Sequence, residues 1–175
     1  MSGPRSLALI GARASGKTTV GELLGARLGC DFVDLDAEVA RAAGAASAGE
    51  YLSGVGESAF RRAETRALCA VARRGGFHVL ATGGGTAESA RARRVLGARY
   101  HCGWLVLDAG EARRRMAAQP GQRPALLGRD PLAEVERLMV QRERHWRSLA
   151  DWSWDVAGLT PEEVVDRMVA VIRRA

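Results

Sequence analysis

The residues best suited to chemistry stand close to the start of the chain, in the stretch GARASGKT. Gly11, Gly16, Lys17 and Thr18 match the pattern G-x-x-x-x-G-K-[ST], in which a glycine-rich loop wraps its backbone N–H groups around phosphate oxygens. In such a loop the lysine neutralises phosphate charge, and the hydroxyl provides an oxygen ligand for Mg²⁺. The pattern therefore predicts a site for a nucleoside triphosphate.

Lys17 is the single lysine among 26 basic residues, so arginine provides every other cation. The planar fork of arginine suits a carboxylate or an exposed phosphate, whereas a narrow loop around two phosphoryl oxygens needs a compact ammonium on a flexible stem. The chain uses arginine for every other basic residue but has lysine at this position, and this supports the phosphate-loop interpretation. The predicted ATP-binding residues of the loop are Gly11, Ala14, Ser15, Gly16, Lys17, Thr18 and Thr19.

Two aspartates follow the next apolar run, in the stretch FVDLDAE. We expect Asp34 and Asp36 at the carboxyl edge of a parallel sheet, where ligands bind in open α/β folds. If both lie on the strand, its alternation points them to the same side. One carboxylate can then hold the water shell of a metal, while the other meets an acceptor hydroxyl.

Two further stretches carry candidate binding groups. GVGESAFRRAETRAL predicts an amphipathic helix with Phe60 on its apolar face and Arg61 beside it, and ATGGGT contains Gly83, Gly84 and Gly85. Consecutive glycines expose backbone N–H groups and allow a small ligand to approach closely. Each pattern alone is also common in purely structural settings, but their order behind a phosphate loop indicates a second substrate site.

The elements that must position these residues alternate short apolar runs with helical patterns, which is typical of an α/β protein with a parallel sheet. The first run is apolar at every position, as expected of a central strand covered on both faces. The predicted fold is a three-layer sandwich with a central five-stranded parallel sheet, whose strands we place at 7–10, 32–35, 78–81, 104–107 and 152–156.

Two helices have clear end signals. The helix after the phosphate loop is expected to end at Gly29, in the position of a C-terminal cap. The stretch TPEEVVDRM predicts the start of the last helix, with Thr160 as N-cap, Pro161 at the first position and Glu163 completing a capping box.

One stretch, AAQPGQRPALLGRDP at 117–131, breaks this regularity with three prolines and two glycines. It is longer than an ordinary connection between elements. Its composition alone is compatible with a lid over a site and with a plain surface connection.

Length and composition predict one domain over 1–175. The chain has 47% apolar and 26% charged residues, and its start contains neither a membrane span nor a signal-peptide pattern, so we expect a cytoplasmic protein. Cys30, Cys69 and Cys102 are far apart and form no CxxC pair. This favours reduced core thiols over disulfides or a metal site.

The net charge of +6 raises the question of nucleic-acid binding. The arginines are scattered over amphipathic segments together with Asp and Glu, as in RERHWRSLAD, and form no continuous basic run. An arginine-rich composition with an anionic small-molecule substrate explains the charge better. We therefore expect neither a nucleic-acid nor a membrane partner.

Taken together, these stretches resemble the shikimate kinases, P-loop enzymes with the nucleoside-monophosphate-kinase-like fold. The resemblance covers nearly the whole chain and rests on GARASGKTTVG, FVDLDAE, GESAFRRAE, LATGGGT, QRPALLGRDPL and QRERHWRSLAD, in the order and at roughly the spacing of the family. It implies transfer of the γ-phosphate of ATP to the 3-hydroxyl of shikimate, a step in chorismate and aromatic amino-acid biosynthesis. The phosphate loop then spans 11–18, the substrate-binding region about 34–62 and a mobile lid about 117–131.

The resemblance also implies roles for individual residues. The catalytic residues are Lys17, Asp36 and Arg123, and those that hold Mg²⁺ are Thr18 and, through water, Asp34. The residues that bind shikimate are Asp36, Arg61, Gly83, Gly84, Gly85 and Arg142, of which the two arginines grip the carboxylate. Arg115 and Arg123 complete the ATP site.

The sequence departs from the usual pattern of the family in two places and is ambiguous in a third. Trp146 stands where the family has tyrosine, and Ala125 stands where many members have leucine. The family places an arginine near the adenine, and Arg114 and Arg115 both match it; we assign Arg115.

Two other functions share part of the pattern. A sugar-acid kinase of the gluconate type would have the phosphate loop and the lid, but should not need the aspartate pair, the Phe-Arg pair and the three glycines together. A regulatory nucleotide-binding module without turnover would be expected to lose Asp36, Arg61 or Arg123, and all three are present. We therefore expect a monomeric enzyme that uses ATP, shikimate and Mg²⁺.

Overall fold

The computed structural model describes residues 5–118 and 131–173. Strands and helices alternate along the chain, as the sequence predicts. The elements are β1 (Ser6–Gly11), α1 (Lys17–Leu28), β2 (Asp31–Asp34), α2 (Leu35–Ala43), α3 (Ala48–Val71), β3 (His78–Ala81), α4 (Ala90–Arg99), β4 (Tyr100–Val106), α5 (Ala109–Ala118), α6 (Pro131–Leu149), β5 (Trp152–Asp155) and α7 (Pro161–Ile172). A short 3-10 turn, Thr86–Glu88, follows β3.

The five strands of the described chain form one parallel sheet in the order β2-β3-β1-β4-β5. β1 is the central strand, with β3 on one side and β4 on the other. The predicted five-stranded parallel sheet is therefore confirmed. β4 begins at Tyr100 rather than at 104, because the less apolar residues 100–103 pair in register with 6–9 of β1.

Both faces of the sheet are covered, which makes the fold a three-layer sandwich. Successive side chains of a strand point to opposite faces. Ala8 and Ile10 accordingly pack in one apolar cluster with side chains of α2, α3 and α4, while Leu7 and Leu9 pack in a second with α1 and α7. Removing both clusters from water stabilises the fold by about 25 cal/mol per Å² of apolar surface. The predicted layer architecture is confirmed.

Two helix ends follow the sequence signals. Gly29 caps α1 with a φ of 67°, in the left-handed region that glycine adopts without strain. At the start of α7 the backbone N–H of Glu163 donates to Thr160 Oγ1 at 3.2 Å, and the backbone N–H of Thr160 donates to Glu163 Oε2 at 2.8 Å. The predicted capping box is therefore formed.

α3 is interrupted at Gly56, whose φ of 76° and ψ of 165° are not helical. The sequence predicts one amphipathic helix over GVGESAFRRAETRAL, and the structure instead divides this stretch at the glycine. The first part of α3 begins at Ala48, and the second part carries Phe60 and Arg61. Both parts contribute to one cleft, which Ala48 and Arg61 line.

The cysteines are free thiols, as the sequence predicts. Cys102 is buried in the sheet, whereas Cys30 and Cys69 are half-buried and are not full core residues. None of the helices in the described ranges is long and apolar enough to cross a bilayer.

Candidate functional site

The phosphate loop leaves the central strand at the carboxyl edge of the sheet. Its backbone has left-handed φ values at Gly11 (139°), Ala14 (62°) and Gly16 (89°), and Ala14 is the one non-glycine residue with a positive φ in the described ranges. A Cβ on Gly11 would lie 2.6 Å from the carbonyl oxygen of Leu105, so no larger residue fits there. The loop passes directly into α1, whose N-cap Gly16 provides no side-chain cap, and the N-terminus of a helix favours an anion.

Lys17 is the first residue of α1 and is buried, with 9% of its surface exposed. Its Nζ donates to the carbonyl oxygen of Gly11 at 3.1 Å and lies 3.4 Å from Ser15 Oγ. A third contact, to the carbonyl oxygen of Ala12, is 2.5 Å. The ammonium therefore lies folded over the loop itself, within a space formed by backbone oxygens.

Thr18 and Asp34 meet where α1 passes the end of β2. Thr18 Oγ1 donates to Asp34 Oδ2 at 2.8 Å. A hydroxyl and a carboxylate side by side are hard oxygen ligands of the kind Mg²⁺ takes, together with phosphate oxygens and water. The two residues predicted to hold the metal are thus brought together and fit that ion.

Asp36 lies in the first turn of α2 and not on β2, so the strand alternation predicted for the two aspartates is wrong. The physical reason is that Asp34 ends the strand by capping α2. Its Oδ1 accepts hydrogen bonds from the backbone N–H groups of Asp36 at 2.9 Å and Ala37 at 3.3 Å. Both aspartates nevertheless line the same cleft.

One cleft of about 270 Å³ joins most of the predicted site. From the phosphate loop it runs past the two aspartates to the glycines after β3 and to a pair of arginines. Its lining comprises Arg13, Ala14, Gly16, Lys17, Thr18, Thr19, Asp34, Asp36, Ala48, Gly49, Leu52, Phe60, Arg61, Glu64, Thr82, Gly83, Gly84, Gly85, Met116 and Arg142.

Arg61 and Glu64, one turn apart on α3, form an ion pair at the floor of this cleft. Arg61 Nη1 donates to Glu64 Oε2 at 3.0 Å, and Thr86 Oγ1 donates to the other carboxylate oxygen at 2.6 Å. Burial raises the pKa of the Glu64 carboxyl; Arg61 and Thr86 oppose that rise, and the nearby Asp36 adds to it. The pair holds the Arg61 guanidinium in place.

Arg142 reaches the same end of the cleft from α6. It is buried and makes a two-point ion pair with Glu88, from Nε to Oε1 at 3.0 Å and from Nη2 to Oε2 at 3.3 Å. Glu88 Oε2 also lies 3.5 Å from Nε of Arg61. The two arginines predicted to bind a carboxylate are therefore neighbours across one glutamate.

Two of the three glycines after β3 allow close approach to these side chains. A Cβ on Gly83 would lie 2.5 Å from Glu64 Oε1 and 3.1 Å from Asp36 Oδ1. A Cβ on Gly85 would collide with the Arg61 guanidinium. Larger residues at these two positions would displace the side chains of Glu64 and Arg61.

Arg115 lies on the other side of the phosphate loop, in a separate cavity of about 420 Å³. Its Nη2 donates to the carbonyl oxygen of Val156 at 2.9 Å and its Nη1 to that of Ala14 at 3.4 Å. Arg114 also borders this cavity but is more exposed, and both arginines pair with Glu111. Of the two, Arg115 is the one whose contact with the phosphate loop is described, through the carbonyl oxygen of Ala14. Arg123 and most of the predicted lid, 117–131, lie outside the described residues.

Comparison with known proteins identifies this arrangement. A family model described as shikimate kinase matches residues 13–173. The chain belongs to the shikimate kinase family. It is 38% identical to a shikimate kinase of Nitrobacter winogradskyi over 97% of this chain and 78% of that protein. It is 39% identical to a shikimate kinase of Saccharopolyspora erythraea over 92% of this chain and 90% of the relative.

Solved structures of the shikimate kinase family agree. The structure of a shikimate kinase from Acinetobacter baumannii in complex with shikimate superposes with a TM-score of 0.88 and 28% identity, over 97% of this chain and 93% of that one. The fold, the family and the enzyme class predicted from the sequence, an ATP-dependent kinase, are confirmed.

Two acidic groups of this site, Glu64 and Glu88, were not predicted from the sequence. Glu64 could have been found, because it follows Arg61 by three positions and so shares its helix face. Glu88 carries no such signal, since only the fold brings the 3-10 turn next to α6. Trp146, which departs from the tyrosine of the family, is buried in the core with its ring centroid 6.4 Å from that of Trp104.

Proposed function

We propose that this member of the shikimate kinase family transfers the γ-phosphate of ATP to the 3-hydroxyl of shikimate. The observation that carries the proposal is the continuity of the cleft. A phosphate loop stands at one end, a pair of arginines suited to a carboxylate stands at the other, and an aspartate lies between them. An acceptor that bears both an acid and a hydroxyl matches this arrangement.

At the phosphate end, Lys17 neutralises charge on the β- and γ-phosphates, and the N–H groups of the loop and of α1 orient them. Thr18 would bind Mg²⁺ directly and Asp34 through water, and the ion would withdraw charge from the phosphates. Arg115 would contact the adenine end. We propose that Arg123, from a lid over 117–131, reaches the transferring phosphate.

Asp36 is the proposed acceptor of the hydroxyl proton. Its backbone is fixed by the hydrogen bond to Asp34, which itself contacts Thr18. A Cβ on Gly83 would lie 3.1 Å from Asp36 Oδ1 and 2.5 Å from Glu64 Oε1, so the Asp36 carboxylate stands near the partner of Arg61 at the acid end. Phosphoryl transfer needs mainly position and charge neutralisation, and a carboxylate here orients the attacking oxygen and takes up its proton.

The acid end would hold the shikimate carboxylate. Arg61 and Arg142 are both largely buried, so their charge is weakly screened and a bidentate ion pair fixes the orientation of the ring. The N–H groups and open surface of Gly83, Gly84 and Gly85 would border the substrate. We further propose that 1–175 act as one kinase domain, with the phosphate loop at 11–18 and the substrate-binding region at about 34–62.

The test is ADP release from MgATP with shikimate, with gluconate and with no acceptor. We expect turnover with shikimate alone and its loss in Lys17→Ala. Turnover with gluconate in place of shikimate, or none with either despite ATP binding, would contradict the proposal.

A further inference from the structure

The carboxylate of Glu88 already hydrogen-bonds Arg142 and lies within ion-pair distance of Arg61 at the acid end of the cleft. Arg142 uses Nε and Nη2 on it, at 3.0 and 3.3 Å, and Arg61 turns Nε toward it at 3.5 Å. The remaining nitrogens of Arg61 also face glutamates, with Nη1 3.0 Å from Glu64 and Nη2 3.5 Å from Glu57. A substrate acid must therefore enter a space where protein carboxylates already bind the guanidinium groups.

Glu88 is the partner in this contact that can move. Its side chain is 32% exposed, whereas that of Arg142 is 6% exposed and that of Arg61 is 16% exposed. The backbone of its 3-10 turn is held separately, because Arg93 Nη1 donates to the carbonyl oxygens of Ala87 at 2.6 Å and Glu88 at 2.9 Å. The carboxylate can thus swing toward solvent while its backbone and both arginines stay in place.

We propose that Glu88 is an internal competitor of the acceptor carboxylate for Arg142 and Arg61, and that it lowers the affinity of the site for its acid substrate. The inference rests on the proposed function, in which these arginines bind the acid. A carboxylate has the same charge and the same two-point geometry as the substrate group. Binding must either displace Glu88 or bring two like charges together around the same guanidiniums, and both reduce affinity.

The test is Glu88→Gln, which keeps the size of the side chain and removes its charge. We expect the dissociation constant for shikimate to fall about fivefold, as the loss of a partly exposed ion pair would give. KM for shikimate should fall with it, while KM for ATP stays unchanged. Binding of the neutral carboxamide of shikimate should not tighten, so the preference for acid over amide increases by the same factor.

Glu57→Gln is the matched control. Glu57 has nearly the same side-chain exposure, 33%, and removing it changes the net charge equally, but in the described structure it contacts Arg61 and not Arg142. We expect a clearly smaller change in shikimate affinity. If both variants bound shikimate more tightly by the same factor, the change in net charge alone would explain the effect. That result would overturn the proposal that Glu88 is a competitor.

Unchanged or weaker shikimate binding by a Glu88→Gln protein with an unchanged thermal midpoint would also overturn it, since Glu88 would then only support the arginines. If Glu88→Gln does not fold, Glu88→Asp replaces it: the shorter acid cannot reach both arginines, and affinity should still rise. A wild-type protein that forms no ADP with shikimate contradicts the proposed function instead, so the two failures are distinct.

Discussion

At the scale of single residues, the surroundings of Lys17 explain why an arginine-rich chain contains one lysine. Its Nζ sits against the carbonyl oxygens of Gly11 and Ala12, in a loop whose shape Gly11 and Gly16 determine. A guanidinium is wider and presents a flat fork, so it cannot occupy this space without moving the loop. The requirement is for the shape of the cation as much as for its charge.

Lys17→Arg is therefore expected to keep the fold and to lose at least about 10²-fold in kcat, because charge stabilisation at the transferring phosphate depends on position. Steady-state kinetics with shikimate and ATP measure this. The matched control is Arg27→Lys, on the exposed face of the same helix, where the cation pairs with Asp166 and either side chain fits. A Lys17→Arg enzyme as active as the control would show that charge alone suffices.

Asp36 gives a second prediction at this scale. Asp36→Asn should reduce phosphoryl transfer by about 10²- to 10⁴-fold, since the proton acceptor is removed. ATP binding, measured by calorimetry, should remain nearly the same, because the loop and Thr18 are untouched. Asp31→Asn, at the exposed start of β2, serves as control. Substantial turnover by Asp36→Asn would remove Asp36 from the proton-accepting role.

At the scale of elements, the site depends on how closely the turn after β3 approaches α3. The Arg61 guanidinium lies directly over Gly85, where a Cβ would stand. An added methyl group at Gly85 would push the guanidinium out of its contact with Glu64, because the end of a side chain shifts more readily than the backbone. Substitution at Gly85 should therefore affect the position of Arg61 more than the stability of the fold.

Gly85→Ala is accordingly expected to raise KM for shikimate about tenfold or more, with a smaller change in KM for ATP, because the displaced guanidinium is one that binds the acid. The thermal midpoint should change little. Gly97→Ala on α4 is the control: no heavy atom lies within 4 Å of its added Cβ, and alanine favours a helix. Equal rises in both KM values for Gly85→Ala would indicate a wider defect and contradict this prediction.

The elements themselves could be predicted from the sequence because apolar runs and end signals mark them. The first and last residues of the elements were harder to predict where a polar side chain forms hydrogen bonds with the backbone. Asp34 ends β2 by capping α2, which moves Asp36 from strand to helix. Glu88 and Arg142 are far apart in the sequence and meet only in the folded chain, so no local sequence pattern predicts their contact.

At the scale of the whole molecule, a buried histidine links stability to pH. His78 begins β3, with Nε2 3.2 Å from Tyr100 Oη and Nδ1 3.3 Å from Ser6 Oγ. Burial lowers the pKa of His78 below its ordinary value of 6.5. The unfolded chain therefore binds a proton more readily than the folded one, and stability decreases as the pH falls below that value.

We expect the free energy of unfolding to decline between about pH 7 and pH 5, and to decline less in His78→Gln. Denaturant titration at both pH values measures the difference. His145 has a pKa lowered mainly by burial as well, but it is more exposed, so His145→Gln should have the smaller effect. An equal decline in wild type and His78→Gln would exclude His78 as the origin.

The order β2-β3-β1-β4-β5 has a consequence for how the protein emerges from the ribosome. β1 is made first, yet its partners β3 and β4 are not complete until residues 81 and 106. The carbonyl of Leu105, against which Gly11 fits, belongs to the later of the two. The phosphate loop is therefore synthesised early but reaches its final shape only after β4 has formed. Until β3 and β4 are available for pairing, the apolar strand β1 is exposed in the nascent chain and prone to aggregation.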